Sequence, residues 1–145
     1  MYDRLLLATD GSDTAQLATE RALDAAERYG AVLHALYVIE KSRGDPDHEG
    51  LDEHVGEQHH EGTAIVDDLE QQAKSQGLDV TTAIEQGVPR TTIEEYAASH
   101  DVDLVVIGSV GASGVTDKLL GTVAKYVVNE VPADVLVVRP DEHVR

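Results

Sequence analysis

The chemistry-bearing residues cluster in one stretch. Val105-Val106-Ile107 runs into Gly108-Ser109-Val110-Gly111-Ala112-Ser113-Gly114 and then, past Leu119-Leu120, into Gly121-Thr122-Val123-Ala124. An apolar run that breaks into glycines and then enters an amphipathic segment is how α/β proteins build anion sites at helix N-termini. Glycine lets backbone N–H groups approach a phosphate without an intervening side chain. Two residues separate Gly108 from Gly111, and nine separate Gly111 from Gly121. Gly121 and Thr122 stand at the mouth of a helix whose unpaired N–H groups and positive dipole end favour an anion. The Ser109 and Thr122 hydroxyls add hydrogen-bonding capacity, although Thr122 also suits a plain N-cap. Neither Gly-x-Gly-x-x-Gly nor Gly-x-x-x-x-Gly-Lys-Ser/Thr occurs, so the loop matches no standard phosphate motif.

The elements that must position this loop alternate. Leu5-Leu6-Leu7-Ala8 reads as a buried strand, and Asp10-Gly11-Ser12-Asp13 as a turn with Ser12 or Asp13 as N-cap. Ala15, Ala18, Ala22, Ala25, Ala26 and Tyr29 share a helical face that Gly30 terminates. Val32 to Ile39 predicts a second strand. Leu51, Val55, Ile65, Val66, Leu69 and Ala73 predict a helix from about Leu51 to Gln76. Val80 to Ile84 reads as a strand. Pro89 suits the first turn of a third helix, with Ile93, Tyr96 and Ala97 facing inward. Asp103–Gly108 is a strand, Val123, Ala124, Val127, Val128 and Val131 mark a last helix, and Val135–Val138 a last strand. Strands alternating with helices predict one parallel sheet covered on both faces, and the apolar first, second, fourth and fifth strands fit burial on both sides. Ligands of such sheets bind at the carboxyl ends of strands where the order reverses, which sets Asp10 and Gly108 on one crevice if the first and fourth strands are neighbours.

Composition bounds the class. The chain has 145 residues, 41% of them apolar, with no Phe, Trp or Cys, so one domain with an aliphatic core is expected and a disulfide or thiolate-zinc framework is excluded. The formal charge is -17. Phosphate neutralisation needs clustered Lys and Arg, so nucleic acid and anionic membranes are unsuited partners. Such an acidic surface suits a salt-loaded cytoplasm, where ions screen self-repulsion. No signal peptide or membrane-spanning run is evident, and a soluble cytoplasmic protein is expected.

The segment at about 40–60 is acidic and histidine-rich, with His48, His54 and His60 six residues apart. On a helix a six-residue step rotates roughly 240°, so these histidines point to three sides and cannot converge on one ion. A solvated face is expected, and Glu53, Glu57 and Glu61, four apart, repel along it.

The run Gly108-x-x-Gly111, nine residues, then Gly121-Thr122 resembles the Gly-x2-Gly-x9-Gly-Ser/Thr signature of ATP-binding universal stress proteins. Leu5-Leu6-Leu7-Ala8-Thr9-Asp10-Gly11-Ser12 resembles that family's first strand and Asp-containing turn. Val38 falls where its second strand ends, Gly87-x-Pro89 resembles the turn before its third helix, and Val135-Leu136-Val137-Val138-Arg139 its closing strand. The resemblance spans 1–145 as one domain. It implies a Rossmann-like, adenine nucleotide alpha hydrolase-like three-layer sandwich with a five-stranded parallel sheet of order 3-2-1-4-5. It implies adenine and ribose near Ala8, Thr9, Asp10 and Val38, and phosphates on Gly108, Ser109, Gly111, Gly121, Thr122 and Val123. ATP, or AMP or ADP, is the implied ligand, with Mg²⁺ as companion, and a homodimer through Val135, Leu136, Val137 and Val138 the implied assembly. Val110 stands where many members carry a basic residue or His, and Lys118 is the one basic residue inside the loop. Backbone amides and the helix end are therefore expected to carry most of the phosphate binding.

Three functions fit this reading. One is a nucleotide-binding regulatory module of the stress response. A second is a slow Mg-dependent ATPase or autophosphorylating protein, for which Asp10 would orient water or metal and Ser109 or Thr122 accept phosphate. No general base with a clear geometry is evident. The third is a nucleotide-free dimeric interaction protein that keeps only the fold.

Overall fold

A computed structural model describes residues 1–40, 51–111 and 120–140, with side chains taken from 56 onward in the second stretch. His48 and the side chain of His54 lie outside it.

Among the described residues nine elements alternate: β1 (Arg4–Thr9), α1 (Asp13–Tyr29), β2 (Val32–Glu40), α2 (Leu51–Ser75), β3 (Val80–Gly87), α3 (Pro89–Ser99), β4 (Leu104–Gly108), α4 (Thr122–Glu130) and β5 (Asp134–Val138). All pairings are parallel, and the sheet order is β3-β2-β1-β4-β5. The inferred adjacency of first and fourth strands is therefore present, with Leu7 opposite Val106 and Ala8 opposite Ile107.

The two faces bury separate cores. Leu5, Leu7, Leu33, Ala35 and Val106 pack against Ala18, Ala22 and Ala26 of α1 and Leu69 and Ala73 of α2. Leu6, Ala8, Leu36, Val105 and Ile107 pack against Ile93, Tyr96 and Ala97 of α3 and Val127 of α4. Alanines along α1 let its backbone ride close on the sheet. Caps fix its ends: Ser12 Oγ accepts the Ala15 N–H at 3.1 Å, and Gly30 takes the left-handed conformation, φ 64°.

The expectation of two-sided burial fails for β5. Its residues alternate, and Leu136 is 39% exposed, because β5 is an edge strand; α1 covers Val138 but leaves Leu136 open. Val128 of α4 is also exposed, as is Tyr29, which stands edge-on to Tyr2 at 5.0 Å. Thr122 is the first helical residue of α4 and Gly121 its N-cap, so Thr122 is not the cap.

Two glycines of α2 differ in purpose. A Cβ on Gly62 would sit 2.5 Å from the ring of Tyr37, whereas one on Gly56 meets nothing within 4 Å. Gly62 is the close contact by which α2 seats on β2. Gly62→Ala is expected to cost about 1–3 kcal/mol through overpacking, and Gly56→Ala to gain roughly 0.5–1 kcal/mol in helix propensity. Urea denaturation of both variants checks this. Equal effects would show that Gly62 is not a packing glycine.

Candidate functional site

The two helix pairs lie on opposite faces of the sheet, so the winding reverses between β1 and β4 and opens a crevice above their carboxyl ends. Residues from three strand ends border it.

From β1 come Thr9 and Asp10. Thr9 is buried, and its Oγ1 accepts the Gly11 N–H at 3.2 Å. Asp10 is exposed, and its Oδ1 accepts the Ser12 N–H at 2.9 Å, which sets the turn into α1. Gly11 has φ 80° and sits under Ile65 of α2, where a Cβ would lie 2.7 Å from that side chain. From β2 comes Val38, half-buried in the same cluster as Ile93 of α3. Nearby, Tyr37 points to the other face. Burial first, then the carboxylates of Glu61, Asp10 and Glu40, push its phenol up from the ordinary value, so it stays neutral.

From β4 come Gly108 and the loop. A Cβ on Gly108 would meet Thr14 Cγ2 at 2.9 Å, and one on Gly111 would meet Asp10 Oδ2 at 2.7 Å. The glycines thus let the β4 loop close against α1 and the β1 turn. Ser109 is clamped through its backbone: its N–H donates to Val138 O at 2.8 Å, and its carbonyl accepts the Gly121 N–H at 2.7 Å. A Cβ on Gly121 would lie 3.3 Å from that carbonyl. This clamp brings the start of α4 to the crevice. Among the described residues no side chain caps α4, and its first helical amides, Thr122, Val123 and Ala124, have no intrahelical acceptor. Thr122 is exposed, Val123 half-buried.

The predicted site residues therefore converge, with two changes of role. The Gly121 N–H is already given to Ser109 and is not free for a ligand. The Ser109 side chain is 0% exposed, and its Oγ has no hydrogen-bond partner among the described residues, so its hydroxyl does not open to the crevice. Val110 is buried too.

Sequence reasoning missed Arg90. This residue of the first turn of α3 lies 5.7 Å over the ring of Tyr126, one helical turn after Thr122, and the Tyr126 hydroxyl donates to Glu94 at 2.6 Å. These contacts tie α3 to α4 beside the site; no spacing in the chain signals them. The predicted segment 112–119, with Lys118, lies outside the described residues. Among the described residues, no group of three acidic, His or Cys side chains is placed to hold a metal ion, and no helix is long and apolar enough to cross a membrane.

Residues 1–139 match the sequence profile of the universal stress protein family. The chain belongs to that family. A universal stress protein of Methanocaldococcus jannaschii is 33% identical over 142 residues, covering 96% of this chain and 83% of that one. Among solved structures, a universal stress protein from Lactobacillus plantarum superposes with a TM-score of 0.81 at 33% identity, covering 95% of this chain and 98% of its own. Another universal stress protein, solved in complex with cAMP, superposes with a TM-score of 0.74 at 29% identity over 96% of this chain and 98% of that one. The Rossmann-like sandwich implied by the sequence is thus the fold of this stress protein.

An orphaned buried hydroxyl is a cost, so Ser109→Ala is expected to raise stability by about 1 kcal/mol. Urea denaturation of the ligand-free variant measures it. A loss of that size would instead reveal a hydrogen bond to the Ser109 hydroxyl.

Proposed function

We propose that this universal stress protein binds an adenine nucleotide, ATP or its mono- or diphosphate, in the crevice above β1 and β4. One observation carries the reading: α4 opens onto the crevice with a glycine cap, leaving the Thr122, Val123 and Ala124 amides and the helix dipole to face an anion. Gly108 and Gly111 support it by letting the end of β4 close against Thr14 and Asp10, which keeps the loop beside the mouth of α4. The base lies against Val38 and reads its backbone, with Ala8 and Thr9 beneath and Asp10 beside the ribose. The cAMP-bound neighbour supports the ligand class.

With Val110 buried, backbone donors supply most of the phosphate binding, so affinity depends on helix geometry more than on a charge clamp. A Mg²⁺ ion would enter with the phosphates, because the described residues offer no preformed metal cage. The reading is one of binding, with little turnover: the Asp10 carboxylate is held by the Ser12 amide and abuts Gly111, which ties it to the turn into α1. As part of the same proposal, β5 pairs with a second copy, which would cover the exposed Leu136 of an edge strand. The charge of -17 suits a salt-rich cytoplasm.

Gly121→Val places a branched side chain beside the Ser109 carbonyl and at the mouth of α4. Calorimetric titration with ATP, with and without Mg²⁺, is expected to show binding to the parent chain and at least about tenfold weaker binding to the folded variant. Unchanged affinity in Gly121→Val would move the phosphate site elsewhere, and no heat with the parent chain would remove nucleotide binding altogether.

A further inference from the structure

A buried cluster that takes no part in the nucleotide reading fastens α3 to the sheet. His34 of β2 is only 8% exposed, and its Nδ1 lies 2.8 Å from the hydroxyl of Tyr96 on α3. The Tyr96 ring stacks on His100, centroids 3.8 Å apart and planes 16° from parallel. The His34 and His100 rings are 5.3 Å apart. His100 caps the end of α3, its Nδ1 within 3.0 Å of the Tyr96 carbonyl.

We propose that His34, Tyr96 and His100 form an acid-sensitive latch on α3, and that through it nucleotide binding in the crevice is linked to protons. The link rests on the nucleotide reading above. Ile93 of α3 packs in one cluster with Val38, and β3 delivers the Gly87–Pro89 turn beside the end of β2, with Gly87 opposite Glu40. The first turns of α3 therefore wall the place assigned to the base, and the latch holds the other end of the same helix.

Burial and two basic neighbours oppose a charge on His34. Burial lowers its tendency to protonate, and His100 on α3 and Arg4 on β1 add repulsion. The nearest carboxylate on β3, Glu85, acts on the Tyr96 phenol and raises it. On its own strand, Tyr37 packs on the opposite face. Protonation also forces His34 Nδ1 to donate, reversing the role it takes when the Tyr96 hydroxyl donates to it. With the folded-state value held below the unfolded one, the latch contributes fully above about pH 6.5 and its contribution is lost as pH falls below that and through the folded value. The latch-open form presents no wall at Val38, so protons and nucleotide compete, and the coupling is reciprocal.

The test has two arms. In the ligand-free protein, amide-exchange protection factors, corrected for intrinsic rates, are expected to fall for α3 but not for α1 between pH 7.5 and 5.5, and to stay level for α3 in His34→Gln. Calorimetry with AMP is expected to show on the order of fivefold weaker binding at the lower pH in the parent chain and none of that difference in His34→Gln. Should His34→Gln fail to fold, the imidazole resonances of His34 in the parent chain decide, since AMP must then lower their titration midpoint. Level α3 protection at acid pH overturns the latch, and so does AMP affinity independent of pH. Loss of α3 protection with no AMP binding at either pH upholds the latch and removes the nucleotide reading instead.

Discussion

The constraint on which this structure depends is that β1 and β4 are buried on both faces. Leu5, Leu6, Leu7, Val105 and Val106 are all fully inaccessible, and a strand with no solvated side needs a helical layer above and below. Right-handed crossovers then send α1 and α2 to one face and α3 and α4 to the other, so the connections must part between the two most buried strands. The crevice is a consequence of covering the sheet, and whatever lies at the ends of β1 and β4 faces it.

Glycine placement and one backbone hydrogen bond shape that crevice for the anion proposed to bind there. The Gly121 N–H gives its proton to the Ser109 carbonyl at 2.7 Å, which pulls the first turn of α4 back over the end of β4. The next three amides have no acceptor within the helix. Glycines suit positions 108, 111 and 121 because a Cβ there would crowd Thr14, the Asp10 carboxylate and the Ser109 carbonyl. The close approach that seats the loop is the same one that sets the start of α4 beside it, so packing and the proposed binding share one set of residues. The same face carries α3, whose first turn and last turn are tied by different means, Arg90 with Tyr126 at one end and His34 with Tyr96 at the other.

Much of this was legible in the chain. The element order, the role of Ser12 and Gly30 as caps and the place of Pro89 follow from local patterns, because each depends on neighbours within a few residues, whereas the grouping of Asp10, Val38 and the glycines was implied by the family resemblance. What was not legible depends on partners far along the chain. That β5 is half open depends on how far α1 reaches across the sheet, and apolar residues read alike on edge and centre. That the Ser109 hydroxyl turns inward while its backbone does the work cannot be read from the residue type. The pairing of His34 with Tyr96 spans 62 positions, and a histidine inside an apolar strand carries no sign of its partner.

The central claim is that the amides at the start of α4 receive the phosphates of an adenine nucleotide. Amide chemical shifts of the ¹⁵N-labelled chain, followed while ATP is titrated in, test it most directly. The largest changes are expected at Thr122, Val123 and Gly111, with a separate change at Val38 from the base. Saturating ATP that leaves those four amides unmoved would contradict it.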